Sequence, residues 1–125
     1  MGGPDIGGIA TGFLALASSG KVREAFERHV AEGFTHHNPW FAGDRESLLV
    51  AMEQSAASEP NKAFIVKQVI AAGDRVAVLS HLQREQAGQE YAVVHMFRFE
   101  GERIAEMWDL AQEIPHDSPN ALGMF

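Results

Sequence analysis

One segment constrains the fold most, residues 90–113, with the sequence EYAVVHMFRFEGERIAEMWDLAQE. Its pattern predicts two long strands that fold back on each other. Apolar and aromatic residues flank the polar sequence EGER on both sides, as in a β-hairpin. The first arm carries His95 and the second carries Asp109. A histidine and a carboxylate in an otherwise apolar setting are candidates for proton transfer.

The relative position of these two residues depends on the turn of the hairpin. A two-residue loop at residues 101–102 would place His95 opposite Trp108. A three-residue loop at residues 101–103 with a bulge would place His95 opposite Asp109, and we predict this second arrangement. Directly opposed residues have Cβ atoms about 4.5–5.5 Å apart, so the imidazole and the carboxylate would be close enough to bond.

Helical periodicity precedes the strands. The predicted helices cover residues 9–17, 22–33 and 45–57. Asp44 is the expected N-cap of the third helix, and Gly33 the expected stop of the second. We expect residues 1–8 to form a loose arm. Residues 34–41 lack a helical period and contain Pro39, so they are predicted to form a strand-like loop.

Four strands follow the helices. They are predicted over residues 63–71, 76–84, 91–100 and 104–113. Gly73-Asp74 supplies a tight turn and residues 85–89 a longer one, so the strands form an antiparallel meander. Helices first and strands after predict one α+β domain over residues 1–125, with the helices packed on one face of a curved sheet.

Apolar side chains occupy both faces of the predicted strand at residues 76–84. A sheet with one solvated face would alternate more cleanly between apolar and polar residues. We therefore expect the face away from the helices to meet a second copy of the chain, giving a homodimer.

The charge and composition exclude several classes of partner and cofactor. Ten Lys and Arg residues against seventeen Asp and Glu residues give a net charge of −7, which disfavours nucleic acid and anionic membranes. The absence of cysteine excludes disulfides and thiolate metal sites and fits a reducing, cytoplasmic compartment. A small-molecule ligand is the remaining expectation.

Counting across the turn at residues 85–89 places His81 close to His95 on the face that also carries Asp109. We expect aromatic side chains around this group, with Tyr91 and Phe97 among them. A buried charge must be paired or must shift its pKa, and either state suits proton transfer near neutral pH.

Several motifs together resemble a known family. His37-Asn38-Pro39, the segment of residues 97–109, FRFEGERIAEMWD, and the ending of residues 120–125 are similar to the SnoaL-like polyketide cyclase branch of the nuclear transport factor 2-like superfamily. The resemblance covers the whole chain in element order. It implies a cone-shaped α+β fold, with three helices over a curved sheet that encloses a cavity, and frequently a homodimer through the sheet.

The resemblance also implies acid–base chemistry without metal or cofactor. An aspartate on the last long strand, assisted by a histidine on the preceding strand, corresponds to Asp109 and His95. The histidine of the HNP motif, His37, is implied to lie near the cavity. At Met107 the sequence departs from the family, whose members often have histidine there, and this makes the cavity more apolar.

The predicted function is cofactor-independent acid–base catalysis on a small apolar carbonyl compound, of the aldol cyclase or isomerase type. The predicted catalytic residues are Asp109, His95, His81 and His37. The predicted substrate-binding residues are Trp40, Tyr91, Phe97, Met107 and Trp108, although core packing is an alternative for these aromatics.

Three alternatives remain open on the sequence alone. The same fold could be a non-catalytic module for ligand binding or dimerisation. His95 and Asp109 could be a buried pair that only stabilises the sheet. Three histidines and one carboxylate could hold a metal, but no local ligand spacing supports this. His36 is expected to be exposed, and His29 is expected to be a packed or rim residue of the second helix.

Overall fold

The structure, a computed structural model, describes residues 3–84 and 88–125. Three helices precede most of a five-stranded sheet, which confirms the predicted α+β fold. The elements are α1 (Ile6–Ser18), α2 (Val22–His29), β1 (Val30–His36), α3 (Arg45–Ser58), β2 (Lys62–Ala72), β3 (Arg75–Arg84), β4 (Gln89–Glu100) and β5 (Arg103–Glu113). No helix among the described residues has the length and apolarity needed to cross a membrane.

The strands follow the order β1-β5-β4-β3-β2. β2 to β5 form the predicted antiparallel meander, and β1 adds to β5 in parallel, so the sheet is mixed. Gly73 and Gly101 open the two tight turns with positive φ, as the first central residue of a type II′ turn requires. Of the predicted turn at residues 85–89, residues 85–87 lie outside the described part.

The hairpin between β4 and β5 confirms the predicted pairing but by a different route. Glu100 pairs with Arg103, so the loop has two residues rather than three. The extra residue is Ala105 instead, because Phe99 pairs with Ile104 whereas the preceding residue of β4 pairs with Glu106. This bulge inside β5 shifts all later pairs by one position. As a result, His95 lies opposite Asp109.

Two predicted boundaries near the N-terminus are wrong. α1 begins at Ile6, because the Asp5 side chain accepts a hydrogen bond from the Gly8 amide and caps the helix, so residues 6–8 are not a loose arm. α2 ends at His29, because the chain from Val30 onward pairs with β5. The residues predicted as the end of a helix and the start of a loop are therefore strand β1.

The helices cover one face of the sheet, here called the helix side. The opposite face, which the helices do not cover, is here called the outer face. α1 and α2 pack their apolar stripes against the strands, with edge-to-face contacts of Phe13 with Phe26 and Phe97. α3 begins at the predicted cap, since the Asp44 carboxylate accepts from the Ser47 amide. This packing fills one end of the helix side and leaves the other end open.

Candidate functional site

Cross-strand pairing arranges the helix side of the sheet in rows. One row contains Val78, His95 and Asp109 on β3, β4 and β5. The row on the filled side contains Val76, Phe97 and Met107, all nearly inaccessible to solvent. The row on the open side contains Ser80, Val93 and Ala111, and beyond it lie Leu82 and Tyr91. The two candidate catalytic residues therefore share the row between packed core and open end.

A cavity of about 360 Å³ occupies the open end between the sheet and the C-terminal turns of α1 and α3. Its lining is mainly apolar, with polar groups at the rim. It is lined by Leu14, Ala17, Ser18, Ser19, Gly20, Met52, Ser55, Ala56, Glu59, Pro60, Lys62, Phe64, Leu82 and His95. An apolar pocket with a few polar groups is typical of sites for small molecules.

His95 is the titratable group at the base of this cavity. Its ring stacks on Phe97 at 5.9 Å and meets the edge of Phe64 at 6.0 Å between ring centroids. Burial lowers its pKa to about 4, although the Asp109 carboxylate opposes this by favouring the charged form. The imidazole is therefore neutral at pH 7. Its buried Nδ1 has no hydrogen-bond partner among the described residues.

Asp109 is held by the loop that follows β1. Its Oδ2 accepts a hydrogen bond of 3.1 Å from the Asn38 side-chain amide. The Asn38 Oδ1 in turn accepts from the Trp40 backbone amide at 3.0 Å. Asn38 therefore joins the HNP loop to β5 and holds one carboxylate oxygen, and the sequence prediction did not include it among the site residues.

Alternation along the HNP segment explains which of its side chains reaches the site. His36 is buried on the helix side, so the expectation that it is exposed is wrong. Its Nδ1 accepts from the Asn38 amide, which assigns the proton to Nε2 and lets Nε2 donate to the Ala42 carbonyl at 2.6 Å. The next side chain points outward and Asn38 points inward, as successive residues of an extended chain do.

His37, the residue expected near the cavity, lies on the outer face. Its ring stacks on Trp108 at 4.9 Å, and its Nε2 is 2.6 Å from a Glu106 carboxylate oxygen. Hydrogen bonds from His37 and Arg98 lower the pKa of Glu106. The HNP histidine therefore belongs to a polar cluster on the side of the sheet opposite the cavity.

The expected position of His81 is also wrong. Arg84 pairs with Gln89, so Gln89 belongs to β4 rather than to the turn, and His81 pairs with Ala92. A shift of one residue moves a side chain to the other face of a sheet. On the outer face, His81 Nε2 is 2.7 Å from Glu90 Oε1, and its ring contacts Phe125 of the C-terminal segment at 4.8 Å.

None of the five residues predicted to bind substrate is among the described residues that line the cavity. Phe97 and Met107 belong to the packed core, because the helices cover their row at the filled end of the helix side. Trp108 is on the outer face, where the Arg75 guanidinium lies 5.4 Å from its ring. Trp40 is 83% exposed. Tyr91 is half-buried at the open end of the helix side, in the same row as a lining residue.

The four residues considered as metal ligands, His37, His81, His95 and Asp109, do not lie together in the structure. Two of these histidines lie on the outer face, whereas His95 and Asp109 lie on the helix side. Within residues 3–84 and 88–125, no three histidine or carboxylate side chains cluster as metal ligands would.

A comparison of the sequence with family models decides the relationship. The model of the SnoaL-like domain matches residues 10–107 of the chain. The chain belongs to the SnoaL-like domain family. No curated protein matches the sequence significantly.

Solved structures show the same fold under different descriptions. IdmH from Streptomyces antibioticus, a proposed polyketide cyclase, is 19% identical with a TM-score of 0.75 over 87% of this chain and 93% of IdmH. AclR from Streptomyces galilaeus, a proposed hydroxylase, is 18% identical with a TM-score of 0.73 over 86% and 89%. An NTF2-like protein of unknown function from Cytophaga hutchinsonii is 17% identical with a TM-score of 0.65 over 83% and 87%. Because one fold carries such different descriptions, the reaction of this SnoaL-like protein must be argued from its own site.

Two features of that site bear on its chemistry. The Asn38 bond engages Oδ2 of Asp109, and no side chain or amide of the described residues donates a hydrogen bond to the second carboxylate oxygen. The neutral imidazole of His95 can donate one hydrogen bond and accept another. A neutral imidazole at the base of an apolar cavity, with a carboxylate beside it in the same row of the sheet, can serve as hydrogen-bond donor and base.

Proposed function

We propose that this SnoaL-like protein catalyses cofactor-independent proton transfer next to a carbonyl group, giving an aldol closure or an isomerisation. The single observation that carries the proposal is the row that joins His95, which lines the cavity, directly to Asp109. The apolar lining favours a substrate whose body is a hydrocarbon or aromatic framework.

In the first step, Asp109 acts as the general base. Its free carboxylate oxygen removes a proton from the carbon next to the carbonyl, and the electrons of the C–H bond move to the carbonyl oxygen as an enolate. The neutral imidazole of His95 donates a hydrogen bond to that oxygen and stabilises the developing negative charge. Asn38 is a positioning residue, because it bonds to the carboxylate and is not among the residues that line the cavity.

The second step returns the proton. In an aldol closure the enolate carbon attacks a second carbonyl carbon of the same molecule, and the resulting alkoxide takes the proton from Asp109. In an isomerisation the proton returns to another carbon of the enolate system. Both routes leave Asp109 ionised and need no oxidant or reductant, so atoms and electrons balance within the substrate.

Deuterium exchange tests the first step without knowledge of the natural substrate. The enzyme is incubated in D2O with a panel of cyclic and aryl ketones, and deuterium incorporation next to the carbonyl is followed by NMR. We expect Asp109→Asn to slow exchange by about 10²–10⁴-fold, the usual contribution of a general base. Asp74→Asn, in the exposed turn between β2 and β3, is the matched control and should exchange as the wild type does. Full exchange in Asp109→Asn would rule out the assigned base.

A non-catalytic ligand-binding module is the second candidate, and the Asn38 contact favours it. A carboxylate that only ties the HNP loop to β5 would need no access to the cavity, and Asp109 is not among the residues that line it. In that case no ketone would gain deuterium with the wild-type protein. Asp109→Asn would then change stability or ligand affinity alone.

A homodimer through the outer face belongs to the same proposal. Four apolar side chains on that face are exposed between 39% and 66%: Ile65, Ile70, Met96 and Leu110. Burial of such a face against a second copy would remove apolar area from water. Light scattering at micromolar concentration should give the mass of two chains, and Leu110→Lys should give one. Leu122→Lys, in the exposed C-terminal segment, is the control, and a monomeric wild type would contradict the dimer.

A further inference from the structure

We propose that Lys62 binds an acidic group of the ligand, so that the substrate is an elongated apolar carbonyl compound with a carboxylate or similar anion at one end. This inference rests on the proposed function, because it assigns the carbonyl end to His95 and Asp109. It adds an anchoring residue at the rim of the same cavity.

Lys62 is the cation of the cavity lining. It lies at the start of β2 on the helix side, where its Nζ donates a hydrogen bond of 2.6 Å to the Ser55 hydroxyl of α3. A neutral hydroxyl balances none of the charge of an ammonium group. Lys62 therefore lines the cavity with a charge that this contact does not compensate.

Among the described residues, Glu59 is the acidic group whose charge acts on Lys62, and it is already engaged. Both oxygens of the Glu59 carboxylate accept from the Arg84 guanidinium, at 2.8 and 2.5 Å, in a bidentate pair. This geometry is the strongest that a carboxylate and a guanidinium form, and it lowers the pKa of Glu59. Glu59 still attracts Lys62 through space, but each of its oxygens already accepts a hydrogen bond from Arg84.

Burial adds a cost that an anionic ligand would remove. Lys62 is only partly accessible to solvent, and desolvation lowers the pKa of its ammonium group. The charge of Glu59 opposes this effect and raises the pKa, whereas the positive charge of Arg84 lowers it by a smaller amount. An anion bound against Lys62 would favour the charged form and reverse this effect.

A purely structural role is the competing explanation. Ser55 belongs to the last turn of α3, and a cation near a helix C-terminus is favourable because of the helix dipole. Such a role predicts that replacement of Lys62 lowers stability and leaves ligand preference unchanged. The two explanations therefore differ in a binding measurement.

The fold also separates the two ends of the ligand. Lys62 pairs with Arg84 and Arg84 with Gln89, so the anchor lies six residues along β4 from His95. Six residues of strand span at most about 20 Å, and β2 lies two strands, about 10 Å, from β4. The acidic group and the reacting carbonyl would thus occupy opposite ends of a molecule the length of two or more fused rings.

A matched pair of probes tests the anchor: 6-acetyl-2-naphthoic acid and its methyl ester, with affinities measured by calorimetry at pH 7. We expect the wild type to bind the acid at least about tenfold more tightly than the ester, as a charged hydrogen bond implies. Lys62→Met should abolish this preference without weakening the ester, and Lys62→Arg should retain most of it. Lys67→Met, on the same strand beside Phe125, is the control and should behave as the wild type does.

Three results would overturn the inference. The first is a preference for the acid that survives in Lys62→Met. The second is an equal loss of acid and ester binding in Lys62→Met when its unfolding curve matches that of the wild type. The third is no binding of the acid to the wild type at millimolar concentration. Deuteration of the acetyl group of the same probes separates this inference from the proposed function. Exchange that is equally fast for acid and ester would refute the anchor alone, whereas acid preference without any exchange would refute the catalysis alone.

Discussion

The two ends of the helix side share the same strands but differ in what covers them. At the filled end, α1 and α2 cover Phe97 and Met107, and these side chains are 0% and 2% exposed. At the open end, the helix-side aromatic residues Phe64 on β2, which lines the cavity, and Tyr91 on β4 remain partly exposed. Strand sequence alone does not separate the two ends, because both are rich in aromatic residues.

The difference shows how this fold places a polar pair without losing its core. The row of His95 and Asp109 lies directly between the two ends, with Phe97 stacked on one side of the imidazole and Phe64 on the other. The filled end supplies the stability, and the open end supplies access. Substitutions at the two ends should therefore have different consequences.

Replacement of one phenylalanine at each end is the strongest test of this contrast. Phe97→Ala should lower the free energy of unfolding by about 3–5 kcal/mol, because it leaves a cavity in a packed core. Phe64→Ala should cost about 1–2 kcal/mol, because only part of that ring is removed from water. Urea unfolding of the two variants measures both values.

Ligand binding provides the opposite control for the same pair. Phe64→Ala should weaken binding of an apolar ketone, because the ring lines the cavity. Conservative replacement of the core ring, Phe97→Leu, should leave that affinity unchanged. Equal losses of stability in Phe97→Ala and Phe64→Ala would mean that the two ends are packed alike.

Acid titration of His95 gives the next largest effect. Burial holds its folded pKa at about 4, below the usual 6.5, so the unfolded chain binds an extra proton between these values. The contribution of the neutral His95 to the free energy of unfolding is fully present above pH 6.5 and is lost as the pH falls towards 4. The loss is about 1.4 kcal/mol per pH unit, roughly 3 kcal/mol in total.

Comparison with a variant isolates this contribution from that of the carboxylates. From pH 7 to pH 5, the wild type should lose about 2 kcal/mol more than His95→Gln in urea unfolding. His29, whose pKa burial also lowers, is present in both proteins and cancels in the difference. Parallel losses in the two proteins would mean that the imidazole is not held neutral by the fold.

Local patterns in the sequence were sufficient for most of the fold. Apolar spacing predicted α1 and α3, and the turn residues at Gly73 and Gly101 predicted two hairpins. β1 was missed because Val30 continues the helical spacing of α2, while its actual partner, Ile104, is far away in the chain. A parallel pairing over that distance leaves no local pattern.

The site was predicted only in part, because strand register also depends on pairings that leave no local pattern in the sequence. His95 and Asp109 were paired correctly, but the bulge responsible is at Ala105, where the sequence has no special residue. One residue of error in a turn moved His81 to the wrong face. Asn38 was missed because His36 was expected to be exposed, whereas alternation from a buried His36 places Asn38 on the inner side of the chain.

Ser80 gives the smallest and most local test of the boundary between the two ends. It lies in the first row of the open side, yet it is 0% exposed, and its hydroxyl has no hydrogen-bond partner among the described residues. A buried hydroxyl without a partner costs about 1–3 kcal/mol. Ser80→Ala should therefore raise the free energy of unfolding by about 1 kcal/mol and the melting temperature by a few degrees. Ser58→Ala, at the exposed end of α3, should change stability by less than about 0.5 kcal/mol. If Ser80→Ala were destabilising, water from the cavity would have to reach its hydroxyl, and the filled end would then stop at the row of His95 itself.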